Sequence, residues 1–153
     1  MKRVKIDPDM EEFLLRILEY QFDIMFAKRA LKEVSEVEIA RSGSPRYFYS
    51  GKELFLVLRP SDGLFSLTPS SARLLHEITS NEYRVVADSG VVLKGSLLAP
   101  GVLDCWDGIR GGDEVLIVSP DDQLMGVGRA KMSCSAMKSV PRGEVVRVRH
   151  ALG

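Results

Sequence analysis

The sequence predicts an α+β chain of two modules: an N-terminal helix-plus-antiparallel-sheet module over residues 1–80, then a small β-barrel over residues 81–153. Three observations predict it. Apolar residues recur at three-to-four spacing through the first stretch, from Phe13 to Leu31. From Val34 the period drops to two. Beyond residue 80, short strand-like runs follow one another between tight turns rich in Gly and Asp, which is how small barrels are written.

The first helix is expected to start at Asp7-Pro8, where a carboxylate caps free N–H groups and a proline occupies a first-turn position that needs no donor. It is expected to run to about Lys32. Its apolar stripe is wide, taking in Ile24 as well as Phe22, Met25 and Phe26, so part of it serves either ordinary core packing or a partner. Val37 and Ile39, then Tyr47 and Tyr49, alternate around the RSGSPR turn at Arg41–Arg46 as a hairpin, and ELFLVLR at Glu53–Arg59 adds a third strand. Thr68-Pro69 repeats the cap-plus-proline signal and opens a helix over 70–78. The polar stretch Thr79–Glu82 reads as the linker.

In the second module, strands are expected at Tyr83–Ala87 and Val91–Lys94, with Gly95 turning the chain into one helical turn stopped by Pro100-Gly101. Arg110-Gly111-Gly112-Asp113 turns into the apolar strand EVLIV. The glycine-rich GVGRAKMS at Gly126–Ser133 sets Arg129 and Lys131 at alternate positions, with Ala130 and Met132 pointing the other way. A short helix over 133–140 precedes the last strand, in which Arg147 and Arg149 share one face, Val146 and Val148 the other, with His150 beside them.

Composition narrows the function classes. Basic and acidic residues balance at 21 each, and no apolar run approaches a membrane span. The start, MKRVKIDPDMEE, lacks the apolar core of a signal peptide, which leads to the expectation of a cytoplasmic protein. Charge is unevenly placed: residues 81–126 hold 3 Lys/Arg against 8 Asp/Glu, and residues 127–153 hold 6 against 1. Cations concentrated on one pair of strands bind phosphate locally even in a neutral chain, because distant charges are screened. Cys105 and Cys134 are far apart, with no Cys-x-x-Cys and no histidine at ligand spacing, so no metal and no cofactor is expected and both read as small buried hydrophobes. Asp104, Asp107, Asp121 and Asp122 fall in apparent loops without a partner that would tune them, and GVGR and RGGD are too short for nucleotide loops. No nucleophile–base pair is visible, so the chain is expected not to be an enzyme.

Four blocks, VVADSGVVLKGSLLAPGV (85–102), IRGGDEVLIV (109–118), GVGRAKMS (126–133) and VVRVRH (145–150), together resemble a PUA domain, the RNA-binding module of pseudouridine synthases and archaeosine transglycosylases. EYQF at Glu19–Phe22, the arginine-flanked hairpin and LRPSDGLFSLTPSSARLLH at Leu58–His76 resemble the segment that precedes that domain in archaeosine tRNA-guanine transglycosylases. The catalytic barrel of that family, with its aspartate nucleophile and zinc site, is missing from the sequence. The resemblance implies a non-catalytic RNA-binding protein that holds transfer RNA near its acceptor stem and 3′ end, as a detached subunit or paralogue beside a separately encoded transglycosylase. A free-standing adaptor acting on other RNAs, and a protein-interaction module with merely solvated cations, remain as alternatives.

Lys94, Gly95 and Ser96 are either a plain structural turn or an anion site at the mouth of a helical turn, and the resemblance favours RNA contact. Arg129, Lys131, Arg147, Arg149 and His150 are either solvated or a ribbon that follows a sugar-phosphate backbone.

Overall fold

The computed structural model describes residues 2–152 and divides into two units, Met1–Ile78 and Thr79–Gly153. Among the described residues, no helix is long and apolar enough to cross a membrane.

The amino-terminal unit runs β1 (Lys2–Lys5), α1 (Pro8–Gln21), α2 (Ile24–Glu33), β2 (Glu36–Ile39), β3 (Pro45–Ser50), β4 (Glu53–Leu58), β5 (Phe65–Leu67) and α3 (Pro69–Ile78). Its sheet is antiparallel in the order β1-β2-β3-β4-β5. The expected hairpin and third strand are therefore flanked by two short strands that the periodicity does not reveal.

The single long helix is corrected to two. Asp23 is extended and takes the Phe26 amide on its carboxylate at 2.8 Å, which makes it the N-cap of α2. Asp7 does the same for α1 through Met10, as expected. The break lets both helices lay apolar residues on the sheet: Leu14, Leu18, Phe26, Ala27 and Ala30 are fully buried, with Ala72 and Leu75 of α3. Val37, Phe48, Leu56 and Phe65 are buried with them, and Phe48 meets Phe65 edge-on at 5.3 Å between ring centroids. Gln21, at the end of α1, holds the outer strand β5 by donating to the Phe65 carbonyl and accepting from its amide, both at 2.7 Å.

The carboxy-terminal unit runs β6 (Arg84–Ala87), β7 (Ser96–Leu98), a 3-10 turn (Ala99–Gly101), β8 (Val102–Cys105), β9 (Glu114–Val118), β10 (Leu124–Ala130), α4 (Cys134–Ser139) and β11 (Glu144–Ala151). The strand order is β7-β11-β10-β9-β6-β8, with β6 parallel to β9 and the other pairs antiparallel. Register shifts in β7, β8, β9 and β11 pairings mark bulges, which bend strands and curl the sheet into a half-barrel. Val85, Leu97, Ile109, Val115, Ile117, Met137, Val145 and Val146 fill it.

Two local expectations fail here. Val91–Lys94 is not a strand; the strand begins at Ser96, after Gly95 has turned the chain with φ +75. No helical turn follows Gly95 directly, since the 3-10 turn starts only at Ala99. The cysteines are buried as expected, but they also form a disulfide: β8 and the start of α4 bring Cys105 and Cys134 to 5.7 Å between Cα atoms.

Candidate nucleic-acid interface

The cations of the carboxy-terminal unit are brought together by strand register. Arg129 on β10 stands opposite Glu114 on β9 and opposite Arg147 on β11, and Arg147 stands opposite Ser96 on β7. One row thus crosses four strands. Gly128 lets β10 and β11 come this close, because a Cβ there would sit 2.1 Å from the Arg147 carbonyl oxygen. Gly95 is tied in as well, accepting from the Val148 amide at 3.0 Å.

The row is not a ribbon of free cations. Glu144 sits at its edge, accepting from the Ser96 hydroxyl and from Arg147 Nε at 3.2 Å, with Lys131 Nζ at 3.9 Å. The Ser96 hydroxyl, then the charges of Arg147 and Lys131, hold the Glu144 carboxyl below the usual range. Arg149 closes on Glu114, whose side chain has no exposure, with one contact at 3.3 Å and a second, shorter one from Nη2 to Oε1. Arg129 Nε donates to the Gly112 carbonyl at 3.0 Å.

The candidates therefore separate. Lys94 is exposed, and Arg147 is 66% exposed at its side chain with only Nε engaged by Glu144. These two can reach a phosphate. Lys131 is also exposed, within reach of Glu144. Arg129 is half-buried and anchored to backbone. The hydroxyl of Ser96 donates to Glu144 and its backbone is paired in β7, so Lys94-Gly95-Ser96 leads into a strand and not into the expected helical turn. Arg149 serves Glu114. His150 is half-buried, and burial followed by the neighbouring Arg149 charge holds its pKa below the ordinary imidazole value.

An apolar groove of about 360 Å³ lies beside Lys94, lined by Val91, Val92, Leu97, Leu98 and Pro100. Val92 is 72% and Leu98 55% exposed. Nothing in the periodicity marked this groove, because Val91 and Val92 read as strand core until the turn at Gly95 is placed.

The loop carboxylates are also corrected. Asp104 meets Lys138 at 2.8 Å, and the lysine holds it below the usual carboxylate range. Asp122 pairs with Arg84 at 2.8 Å, and Arg84 is 5% exposed. Both pairs border a polar cleft of about 630 Å³. No group of three or more His, Cys, Asp or Glu suited to a metal occurs among the described residues.

Residues 83–152 match the PUA domain, and residues 12–82 match the patch-forming domain C2 of tRNA-guanine transglycosylase. A tRNA-guanine(15) transglycosylase of Methanothermobacter thermautotrophicus is 32% identical over 97% of this chain and 24% of its own. Archaeosine synthase subunit alpha of Methanosarcina acetivorans is 34% identical over 97% of this chain and 23% of its own. The chain thus spans about a quarter of the length of these relatives. Among solved structures, a hypothetical protein of Pyrococcus horikoshii superposes with a TM-score of 0.74 at 22% identity, covering 98% of this chain and 94% of that one. A conserved PUA domain protein of Thermoplasma acidophilum gives 0.66 at 23%, covering 99% and 95%. At those identities the likeness is one of fold.

Proposed function

We propose, on the premise that this chain belongs to the PUA-domain proteins and matches the C-terminal region of tRNA-guanine transglycosylases and archaeosine synthases, that it binds RNA, and transfer RNA in particular. It would do so without chemistry of its own, assisting archaeosine-type modification beside a separately encoded catalytic chain. The observation that carries the reading is the cationic row on β10 and β11 next to the apolar groove. Exposed Lys94 and Arg147, with exposed Lys131 within reach of Glu144, suit phosphates, and the groove lined by Val92 and Leu98 suits the face of an unstacked base at the end of an acceptor stem. Such a surface positions a backbone and recognises shape rather than a base sequence.

The test is capture of bound RNA from native extract, with sequencing of the RNA and identification of co-purifying proteins. Enrichment of transfer RNA together with a catalytic transglycosylase chain is the expected result. Absence of transfer RNA from the captured pool overturns the reading, and enrichment of ribosomal RNA instead favours an adaptor in translation. Purified chain should not exchange labelled guanine into transfer RNA.

A further inference from the structure

The sheet of the amino-terminal unit has two unlike faces. Phe48 and Val37 point into the core under the helices, so their neighbours Tyr47, Tyr49, Glu36 and Glu38 stand on the opposite face, where all four are half-exposed. Register aligns them in two rows: Arg3, Glu38 and Tyr47 in one, Lys5, Glu36 and Tyr49 in the other. Each row places a cation, a carboxylate and an aromatic ring side by side.

The side chains are not evenly satisfied. Arg3 leans diagonally, pairing with Glu36 at 2.9 Å and stacking its guanidinium 3.8 Å over the Tyr49 ring. That leaves Glu38 without a cation partner among the described residues. At the other end of the face, the register shift between Glu38 and Ile39 makes Arg46 the extra residue of a bulge, with its guanidinium 5.8 Å from the Tyr47 ring. Arg46 Nε is shielded from water and has no hydrogen-bond partner among the described residues.

We infer that this face is a second RNA-contact surface, which takes unpaired nucleotides. The inference rests on the RNA-binding reading above and extends it to the other unit. Bases stack on aromatic rings and on guanidinium planes whatever their sequence, and an antiparallel sheet offers such groups at regular spacing. Tyr47 provides one ring platform, and the outer face of Arg3, backed by Tyr49, provides a second. Lys5, Arg41 and Lys52, exposed at the border of the sheet, suit the phosphates. Glu38 lies between the two platforms. A carboxylate accepts two hydrogen bonds side by side, and guanine presents two donors, N1–H and the 2-amino group, on one edge; uracil presents one. The face therefore prefers guanine to uracil.

The experiment uses the full chain and three probes: the RNA hexamers UUGUUU and UUUUUU, and a blunt-ended RNA duplex. Affinities are read by fluorescence anisotropy, and the sites by amide shifts in NMR spectra of the unmodified protein. The expected result is that the hexamers shift the amides of β2 and β3, that UUGUUU binds more tightly, and that Tyr47→Ala with Tyr49→Ala weakens the hexamers by at least about fivefold, the low end of one lost base–aromatic stack. The same double variant should leave duplex affinity within about twofold, and Tyr47→Phe should retain hexamer binding. Glu38→Gln should remove the guanine preference. Hexamer-induced shifts confined to residues 79–153, or hexamer affinity unchanged in the double variant, overturn the inference. A duplex bound without any hexamer binding overturns it while leaving the RNA-binding reading intact. Neither probe bound removes both.

Discussion

Arg149 on β11 reaches across β10 to Glu114 on β9 and closes a two-pronged ion pair on a carboxylate that is sealed from water. The pair joins the last strand to the centre of the sheet, so the two arginines of VVRVRH differ in kind. Arg147 stands in solvent, and Arg149 is part of the structure.

Arg149→Ala should therefore lower stability by about 3 kcal/mol, because it strips the principal partner from a buried charge. Arg147→Ala, at an exposed ion pair with Glu144, should cost no more than about 1 kcal/mol. Urea denaturation of both variants measures the difference. Equal midpoints would mean that Glu114 is held by its other neighbours.

RNA affinity should depend on salt through the exposed cations. Arg147→Ala and Lys94→Ala should each flatten the plot of log affinity against log salt by about 0.7 to 0.9, and weaken all sequences about equally. Glu144→Gln should act in the other direction, strengthening binding by releasing Arg147 and Lys131 from a carboxylate. Lys28 and Lys32, exposed on α2 of the other unit, are the control pair whose replacement should change the slope much less.

Reduction of the Cys105–Cys134 bond, or replacement of both residues by alanine, should lower stability by about 3 to 4 kcal/mol. The bond closes a loop with a sequence separation of 29, and the loss reflects the greater freedom of the unfolded chain. A chelator should leave the melting temperature unmoved, since both sulfurs are committed to each other. Identical denaturation curves with and without reductant would show that the thiols are not joined in solution.

His150 should titrate below 6.5, chiefly because burial disfavours its charged form. A depressed histidine is protonated more readily in the unfolded chain, so its contribution to stability is complete above the ordinary value and is lost as pH falls through the folded one. NMR titration of the imidazole gives the midpoint directly. His150→Ala should leave neutral-pH salt dependence unchanged, and a slope reduced as much as by Arg147→Ala would mean that His150 is charged in the complex.

Gly128→Ala should separate β10 from β11, since the added methyl would stand 2.1 Å from backbone that cannot move aside. A cost of about 2 kcal/mol or more is expected, read as a lowered melting temperature. RNA affinity should fall with it, because Arg129 and Arg147 face each other only through that close pairing.

What the sequence by itself determined lies within a few residues along the chain. The caps at Asp7-Pro8, the switch of period at Val34 and the alternation of Arg147 and Arg149 with Val146 and Val148 are local, because helix starts and strand faces follow from neighbouring side chains and backbone geometry. The α+β class and the family resemblance were legible for the same reason. Asp23 was locally available too, but the apolar stripe running past it on both sides concealed its role as a cap. Tertiary structure alone decided which charges remain available. Glu114 takes Arg149 from 35 positions away, Glu144 takes the Ser96 hydroxyl from 48, and Cys105 finds Cys134 across 29. Those pairings depend on which strands become neighbours in the sheet and in what register, and a shift of one residue would reverse the faces and leave different charges exposed.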